Sequence, residues 1–429
     1  MQKPARQWGW IPLVLVLAGF AGGLVVRKAQ DTGQPLAAVG DPLFSQRILA
    51  SRDAPPSLSE GEYFYQLTRM LEQTYVDGVK DEDGLASGSI RGMIGSLADP
   101  LSTYLPKEQM AALSKRLTGT YEGVGIELSL KFDQEELKKL QDKAPDLDSL
   151  MLLPVLEVTA VPEGTPAAKA GLKPGDRIVG LDGRAVLSAL DIRQLRELQE
   201  KADKKEIPWT KLETARESFR KKAENNYVAS RARELLTTGK EGTLKVDWMR
   251  QNTPMSASIT RSVSQVKPLV KQGDGSYKVR FMRGLQEAIQ QEKLSGKDVV
   301  IDLRGTGQGD IGAMKSALEA LAAPGVYGSL VTEKDKELRP LSIRGGIAKP
   351  GRLTLLVDQT TRGASEIFAL ALSSRGQAKL KGSSMAGERA WIETFAVQGG
   401  HGYTLVTGLF RPQSGTAAAS TTPKAGAGN

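Results

Sequence analysis

The hydrophobic pattern changes period several times along the chain, and each change marks an element. Residues 8–26 ("WGWIPLVLVLAGFAGGLVV") carry no charge and are apolar apart from their glycines. Lys3 and Arg6 precede the block; Arg27 and Lys28 follow it. A helix of that length just spans a bilayer. The block predicts a retained anchor with the N-terminus inside or, alternatively, a long signal peptide that is cleaved. Residues 29–58 are polar and rich in Pro and Gly, which reads as a linker. A helical period then begins. In "SEGEYFYQLTRMLEQTYVDG" a Ser sits at the cap, and Phe64, Leu67, Met70 and Leu71 share one face. "LASGSIRGMIGSLADPLSTYLPKEQMAALSKRL" predicts two more helices on either side of Asp99-Pro100.

The period next shortens to two. "GTYEGVGIELSL" and "LLPVLEVTAV" alternate as strands. "PEGTPAAKAGLKPGDRIVGLDGRAV" supplies a short helix, a Lys-Pro-Gly-Asp turn and a strand ending at Asp182-Gly183. Residues 191–200 read as a helix and "GTLKVDWMR" as another strand. Two highly charged stretches, 131–149 and 201–240, interrupt this module and read as exposed helical insertions. A solvated face is the ordinary meaning of such charge runs; a partner-binding arm is the sharper alternative. From about residue 276, buried strands ("GKDVVIDLRG", "GRLTLLVDQ") alternate with helices, and "QAKLKG" and "GYTLVTGLFRP" add strands. That order predicts a largely parallel sheet covered on both faces. Residues 413–429 are low-complexity and read as a disordered tail.

Composition narrows the chemistry. The 429 residues contain no Cys and one His, His401. Disulfides, thiolate catalysis and Cys-ligated zinc are excluded. A His-based zinc site and a Ser-His-Asp triad have almost no material to work with. No metal and no cofactor is expected. The net charge of +9 suits solubility and attraction to anionic membrane surfaces. Nucleic-acid binding would need a basic stripe with interleaved aromatics, and none is present.

One stretch carries candidate chemistry. "TTRGASEIFALALSSRGQ" is a polar turn opening into an amphipathic helix, with Gly363, Ala364 and Ser365 at the entry. Free N–H groups at such a helix start can stabilise an oxyanion. Beside it stand other recognisable segments: "YVDG" with "GSIRGMIGSLADPLSTYL", "GVGIEL" followed by "VLEVTAVPEGTPAAKAGLKPGDRIVGLDGRAV", "VVIDLRGTGQGD" and "GASEI". In this order they resemble the carboxyl-terminal processing proteases, also called tail-specific proteases, across roughly residues 60–412. The resemblance implies an α/β multidomain protein. Its parts would be a cytoplasmic tip and transmembrane helix (1–28), a linker (29–58), a helical region (59–118), a PDZ-like β module with insertions (119–265), a protease-like α/β core of ClpP/crotonase-like type (266–412) and the tail. A PDZ groove adds an extended chain as a strand and holds its terminal carboxylate on backbone N–H groups. Gly123, Val124, Gly125 and Ile126 are the candidates for that loop, unless the glycines merely start a strand.

The family works through a Ser–Lys dyad, in which a desolvated Lys takes the hydroxyl proton, with a Gln four residues after the Lys. Matched without a gap, the nucleophile position is Gly363, the Lys position Glu388 and the Gln position Ile392. All three functional side chains are replaced. The oxyanion turn keeps Gly309, and Ala364 still follows the nucleophile position, but Gln308 replaces a Gly. A displaced nucleophile, Ser365, with Lys379, Lys381 or His401 as base, is the fallback. The expectation is an inactive homologue of a C-terminal processing serine endopeptidase, anchored in a bacterial inner membrane with its bulk in the periplasm or outside, or secreted after signal cleavage. It would bind peptide C-termini or protein partners. The alternatives are an active endopeptidase using Ser365, and a structural or regulatory subunit, homo- or hetero-oligomeric with a protease paralogue.

Overall fold

The computed structural model describes residues 60–413, except 77–78, 80, 98, 100, 132–153, 188, 333, 335 and 347–348. The apolar block at 8–26, the linker, residues 132–149 of the first insertion and residues 414–429 lie outside the described residues. Among the described residues no helix is long and apolar enough to cross a membrane.

The chain divides into two units. The first contributes α1 (Glu60–Thr74) and the start of α2 (Glu82–Gly95). On α1 the side chains of Tyr65, Met70 and Leu71 are exposed, as is Tyr75 just beyond it.

The second unit opens with β1 (Thr103–Leu105), α3 (Lys107–Arg116) and β2 (Thr120–Tyr121), and then builds an antiparallel module. Its strands are β3 (Glu127–Lys131), β4 (Val155–Ala160), β5 (Arg177–Leu181), β7 (Thr243–Arg250) and β8 (Thr253–Thr260), hydrogen-bonded in that order, with β6 (Arg184–Ala185) beside β5. Alternation drives the sheet. On β7, Leu244, Val246 and Trp248 are buried while Thr243 and Lys245 are exposed. The short helix α4 (Pro166–Lys169) starts where Thr165 accepts the Ala168 N–H and proline takes the first turn.

The stretch 201–240 does not behave as one exposed insertion. Helices α5 (Ala189–Asp203) and α6 (Trp209–Asn225) pack against each other as a hairpin. The hairpin leaves and re-enters at one place: the Leu187 N–H donates to Tyr227 O, and the Tyr227 N–H to Ala185 O, both at 2.9 Å. Helix α7 (Ala229–Thr237) belongs to the module itself. Ala229, Ala232 and Leu236 are buried with Val124, Leu156 and Val246. Their small apolar stripe is diluted by the arginines and glutamate between them, so a composition window reads it as solvent-facing.

The core follows β9 (Ser264–Gln265), which pairs with β2. One sheet runs β10 (Leu269–Lys271), β11 (Tyr277–Val279), β12 (Val299–Asp302), β15 (Leu353–Val357) and β16 (Lys379–Gly382). It is parallel from β11 onward. Its helices are α8 (Leu285–Gln291), α9 (Ile311–Leu321) and α10 (Ala364–Ser374). A second, antiparallel sheet joins β1, β18 (Gly402–Pro412), β13 (Gly325–Val331) and β14 (Glu337–Ile343), with β17 (Ala390–Ala396) on β18. The sequence reading of a largely parallel core missed β13, β14 and β17. On β14 the outer residues Glu337, Leu338, Arg339 and Pro340 are exposed, and the proline is tolerated because this is an edge strand. Helix α10 touches β16 of one sheet and β13 and β18 of the other. Burial on several sides explains why "IFALAL" is apolar almost throughout.

Candidate functional site

The site forms where β15 turns into α10. Asp358 organises the turn: its carboxylate accepts the Thr360 N–H at 2.8 Å, and its carbonyl accepts the Thr361 N–H at 2.9 Å. Gly363 caps α10 with φ 56° and ψ −128°. Hydrolases expose a nucleophile at such a sharp, strained strand-to-helix turn. Here the residue has no side chain. A Cβ built on Gly363 would lie 2.5 Å from Gln308 Nε2 and 2.6 Å from Gln308 O. Gln308 therefore fills the space in which a side chain at 363 would project.

The same residue engages the oxyanion-type donor. The Ala364 N–H donates to the Gln308 carbonyl at 2.9 Å. Gly307 and Gly309 flank Gln308 with φ of 78° and 69°. Gly309 also packs tightly, since a Cβ there would come within 2.9 Å of Phe281 Cβ and 3.0 Å of Ala364 Cβ.

Ser365 is 0 % exposed. Its Oγ lies 2.6 Å from Thr306 Oγ1, and the Thr306 hydroxyl donates to Leu303 O at 2.8 Å. The Ser365 hydroxyl is thus the donor to Thr306, pinning the helix start to the end of β12. Its supposed bases are elsewhere engaged or outward: Lys379 and Lys381 are exposed on β16, and His401 Nδ1 shares a 2.6 Å hydrogen bond with Tyr104 OH.

Glu388 does stand beside Gly363. Its carbonyl accepts the Gly363 N–H at 3.0 Å, and its own N–H donates to Glu366 Oε2 at 2.9 Å. Glu366, in the first turn of α10, is buried. Burial pushes its carboxyl above the usual carboxylate range, against the pull of the Glu388 and Gly387 N–H groups. The Glu388 Oε1 atom is itself buried without a hydrogen-bond partner. Ile392, on β17, lines a cleft with Gln308.

The loop at 123–126 is braced from within. The Gly123 N–H donates to Gly239 O at 2.8 Å and the Val124 N–H to Leu236 O at 2.9 Å. A Cβ on Gly123 would run into Leu236 O, and one on Gly125 would lie 2.6 Å from Thr165 Cβ. Both glycines are therefore demanded by close packing against α7 and Thr165, whatever else they do. Val124 and Ile126 are buried in the module core. β3 is the first strand of its sheet, so among the described residues one of its edges has no neighbouring strand.

The cleft has two lobes sharing Arg116, Tyr121, Glu127, Gln308 and Ile392. One runs along Leu128 and Leu130 of β3 and Arg233 of α7; the other reaches Arg280 and Gly309. Module and elbow are also tied by a buried ion pair, Arg362 Nη2 to Glu157 Oε1 at 3.1 Å. Lys131 Nζ holds the other oxygen of Glu157 at 2.7 Å. None of Arg116, Arg233, Arg280, Arg362 or Glu157 was singled out from the sequence. The only signal was for Arg233, whose helix carries the Ala229, Ala232, Leu236 stripe.

Comparison with known proteins agrees with this anatomy. Residues 46–109 match the activating protease CtpB N-terminal domain, 157–205 a PDZ domain and 276–424 peptidase family S41. The PDZ match ends inside the hairpin, whereas the sheet continues through β7 and β8. The carboxy-terminal processing protease CtpA of Bacillus subtilis (strain 168) is 24% identical over 399 residues, covering 89% of this chain and 69% of that protein. A probable CtpA-like serine protease of Staphylococcus aureus (strain COL) is 24% identical over 319 residues, 72% of this chain; the chain spans only 53% of that relative's length. Among solved structures, the photosystem II D1 C-terminal processing protease superposes with a TM-score of 0.54 at 18% identity, covering 83% of each chain.

Proposed function

We propose that the chain, which matches peptidase family S41 over residues 276–424 and is similar to carboxy-terminal processing proteases, is a peptide-binding member of that family that lacks peptidase activity. One observation carries this reading. Position 363 carries no hydroxyl, and the Gln308 carbonyl takes the N–H that an oxyanion would need. A Ser–Lys mechanism requires a hydroxyl, a neutral amine and free donors. Gly363, Glu388 and Gln308 stand at those three places. Ser365, turned into the core toward Thr306, gives no substitute. Peptide binding is supported by the edge of β3 that no described strand pairs and by the cleft that runs from it to Gln308. We place the protein in the bacterial envelope, anchored by residues 8–26, on the strength of that apolar block.

The test is incubation of the purified chain with unstructured substrates and with a serine-directed fluorophosphonate. We expect neither cleavage nor a covalent adduct. Cleavage that disappears in Ser365→Ala would overturn the reading and establish the displaced nucleophile. A second reading, a subunit of a larger assembly, is favoured by the exposed Tyr65, Met70 and Tyr75 in and next to α1. A monomer by light scattering, with no protease-like chain recovered by pull-down from envelopes, would end it.

A further inference from the structure

The cleft beside the elbow holds three arginines, and among the described residues none of them makes a direct ion pair. Arg116, Arg233 and Arg280 all line it. Arg280 is 6 % exposed, and its Nη1 has no hydrogen-bond partner. Arg233 Nη2 donates to Gln109 Oε1, a neutral amide oxygen, at 2.7 Å. Burial, and then the nearby charge of Arg116, push the Arg233 guanidinium down to about 10. The carboxylates on the same walls are otherwise engaged. Glu122 pairs with Lys115 at 2.8 Å, Glu127 accepts the Tyr121 hydroxyl at 2.6 Å, and Asp310 accepts the Ala313 N–H at 2.7 Å to cap α9. Among the described residues, no carboxylate forms an ion pair with any of the three arginines.

A buried guanidinium whose hydrogen-bond donors meet no carboxylate is left under-satisfied, and a carboxylate matches its planar fork in two parallel hydrogen bonds. The three groups are spread over both lobes rather than gathered at one point, so a single small anion would leave part of the charge unanswered. The edge of β3 that no described strand pairs, with Leu128 and Leu130 on it and Ile126 before it, offers an extended backbone a strand to join and an apolar wall. We propose that the cleft selects an acidic C-terminal tail of another protein. An acidic side chain of the tail meets Arg233 in the lobe along β3, and a further carboxylate meets Arg116 and Arg280 beside Gln308. This rests on the peptide-binding reading and sharpens it: the preference is set by charge, not by an apolar last residue.

The experiment uses the full chain in detergent and labelled synthetic peptides read by fluorescence anisotropy. One ends in an acidic tail, one has each Glu replaced by Gln, one is the acidic tail with an amidated C-terminus, and one has an apolar tail. The acidic tail should bind about tenfold or more tighter than its Gln counterpart, the difference shrinking at high salt. Amidation should also weaken it. In Arg233→Gln the ratio of acidic to Gln peptide should fall toward one, with thermal melting run alongside to establish that the variant is folded. The peptide-side changes carry the test if the variant does not fold. Apolar and acidic tails binding equally well, with no salt dependence, would overturn the charge preference and leave peptide binding standing. No binding by any tail would overturn both.

Discussion

A side chain at position 363 would have to occupy space that Gln308 already fills. Its backbone would also have to hold φ 56° and ψ −128°, which L-residues adopt only under constraint. Gly363→Ser should therefore destabilise the fold by about 1–3 kcal/mol and produce no hydrolysis. Thermal melting and a peptidase assay on the same sample check both halves. Adding Glu388→Lys and Ile392→Gln supplies the missing amine and amide, yet the Gln308 carbonyl still holds the Ala364 N–H. Only a further Gln308→Gly, which removes the side chain packed against position 363 and lets the 307–309 backbone turn its carbonyl off the Ala364 N–H, should allow a trace of activity. Strong activity in Gly363→Ser alone would mean that the turn at Gln308 moves aside readily. Ser365 teaches the same lesson from the other side. A hydroxyl two residues past the Gly363 turn is here a core hydrogen bond to Thr306.

Helix α7 and the α5–α6 hairpin came out of one charged stretch, and packing separates them. The hairpin's ends meet through the Leu187–Tyr227 and Tyr227–Ala185 hydrogen bonds. Removing residues 189–225 and closing the gap with a short polar turn should leave the module folded, because its core residues Ala229, Ala232 and Leu236 lie outside the cut. The expected result is a cooperative melt changed by no more than about 1 kcal/mol. A chain that loses cooperative unfolding would show that the hairpin contributes to the core. On β13 and β14 the alternation is broken by exposed charges and by Pro340, and only the hydrogen-bonding partners β18 and β13 make these segments strands. The helix at 364–374 was legible to the residue, since small residues at the start and an unbroken apolar run leave no other element open.

Across the molecule, the module is bolted to the elbow next to Gly363. Glu157 on β4 receives both Lys131 and Arg362, and Ala160 bridges to Thr306 in the turn that carries Gln308. Breaking a buried pair leaves one charge without its partner, at about 3–5 kcal/mol. Glu157→Gln, which leaves the buried Arg362 without its carboxylate, should cost that much and split the melting transition into two, one for the module and one for the core. Calorimetry of the variant against the parent chain checks it. A single unshifted transition would mean that the pair contributes little and that the interface is held by other contacts.

By itself the sequence determined the order of modules, the position of the elbow and the chemical identity of residues 363, 388 and 392. These depend on local pattern: short motifs, the switch of hydrophobic period, and which side chains are present at all. Tertiary structure alone decided that the Gln308 carbonyl answers the Ala364 N–H and that Ser365 faces inward. It also decided that Arg116, Arg233 and Arg280 meet in one cleft and that Glu157 joins Arg362. Each of these is a meeting of residues from separate elements, 205 positions apart in the last case. Their geometry follows from how the sheets and helices pack, and no local pattern of polar and apolar residues encodes it.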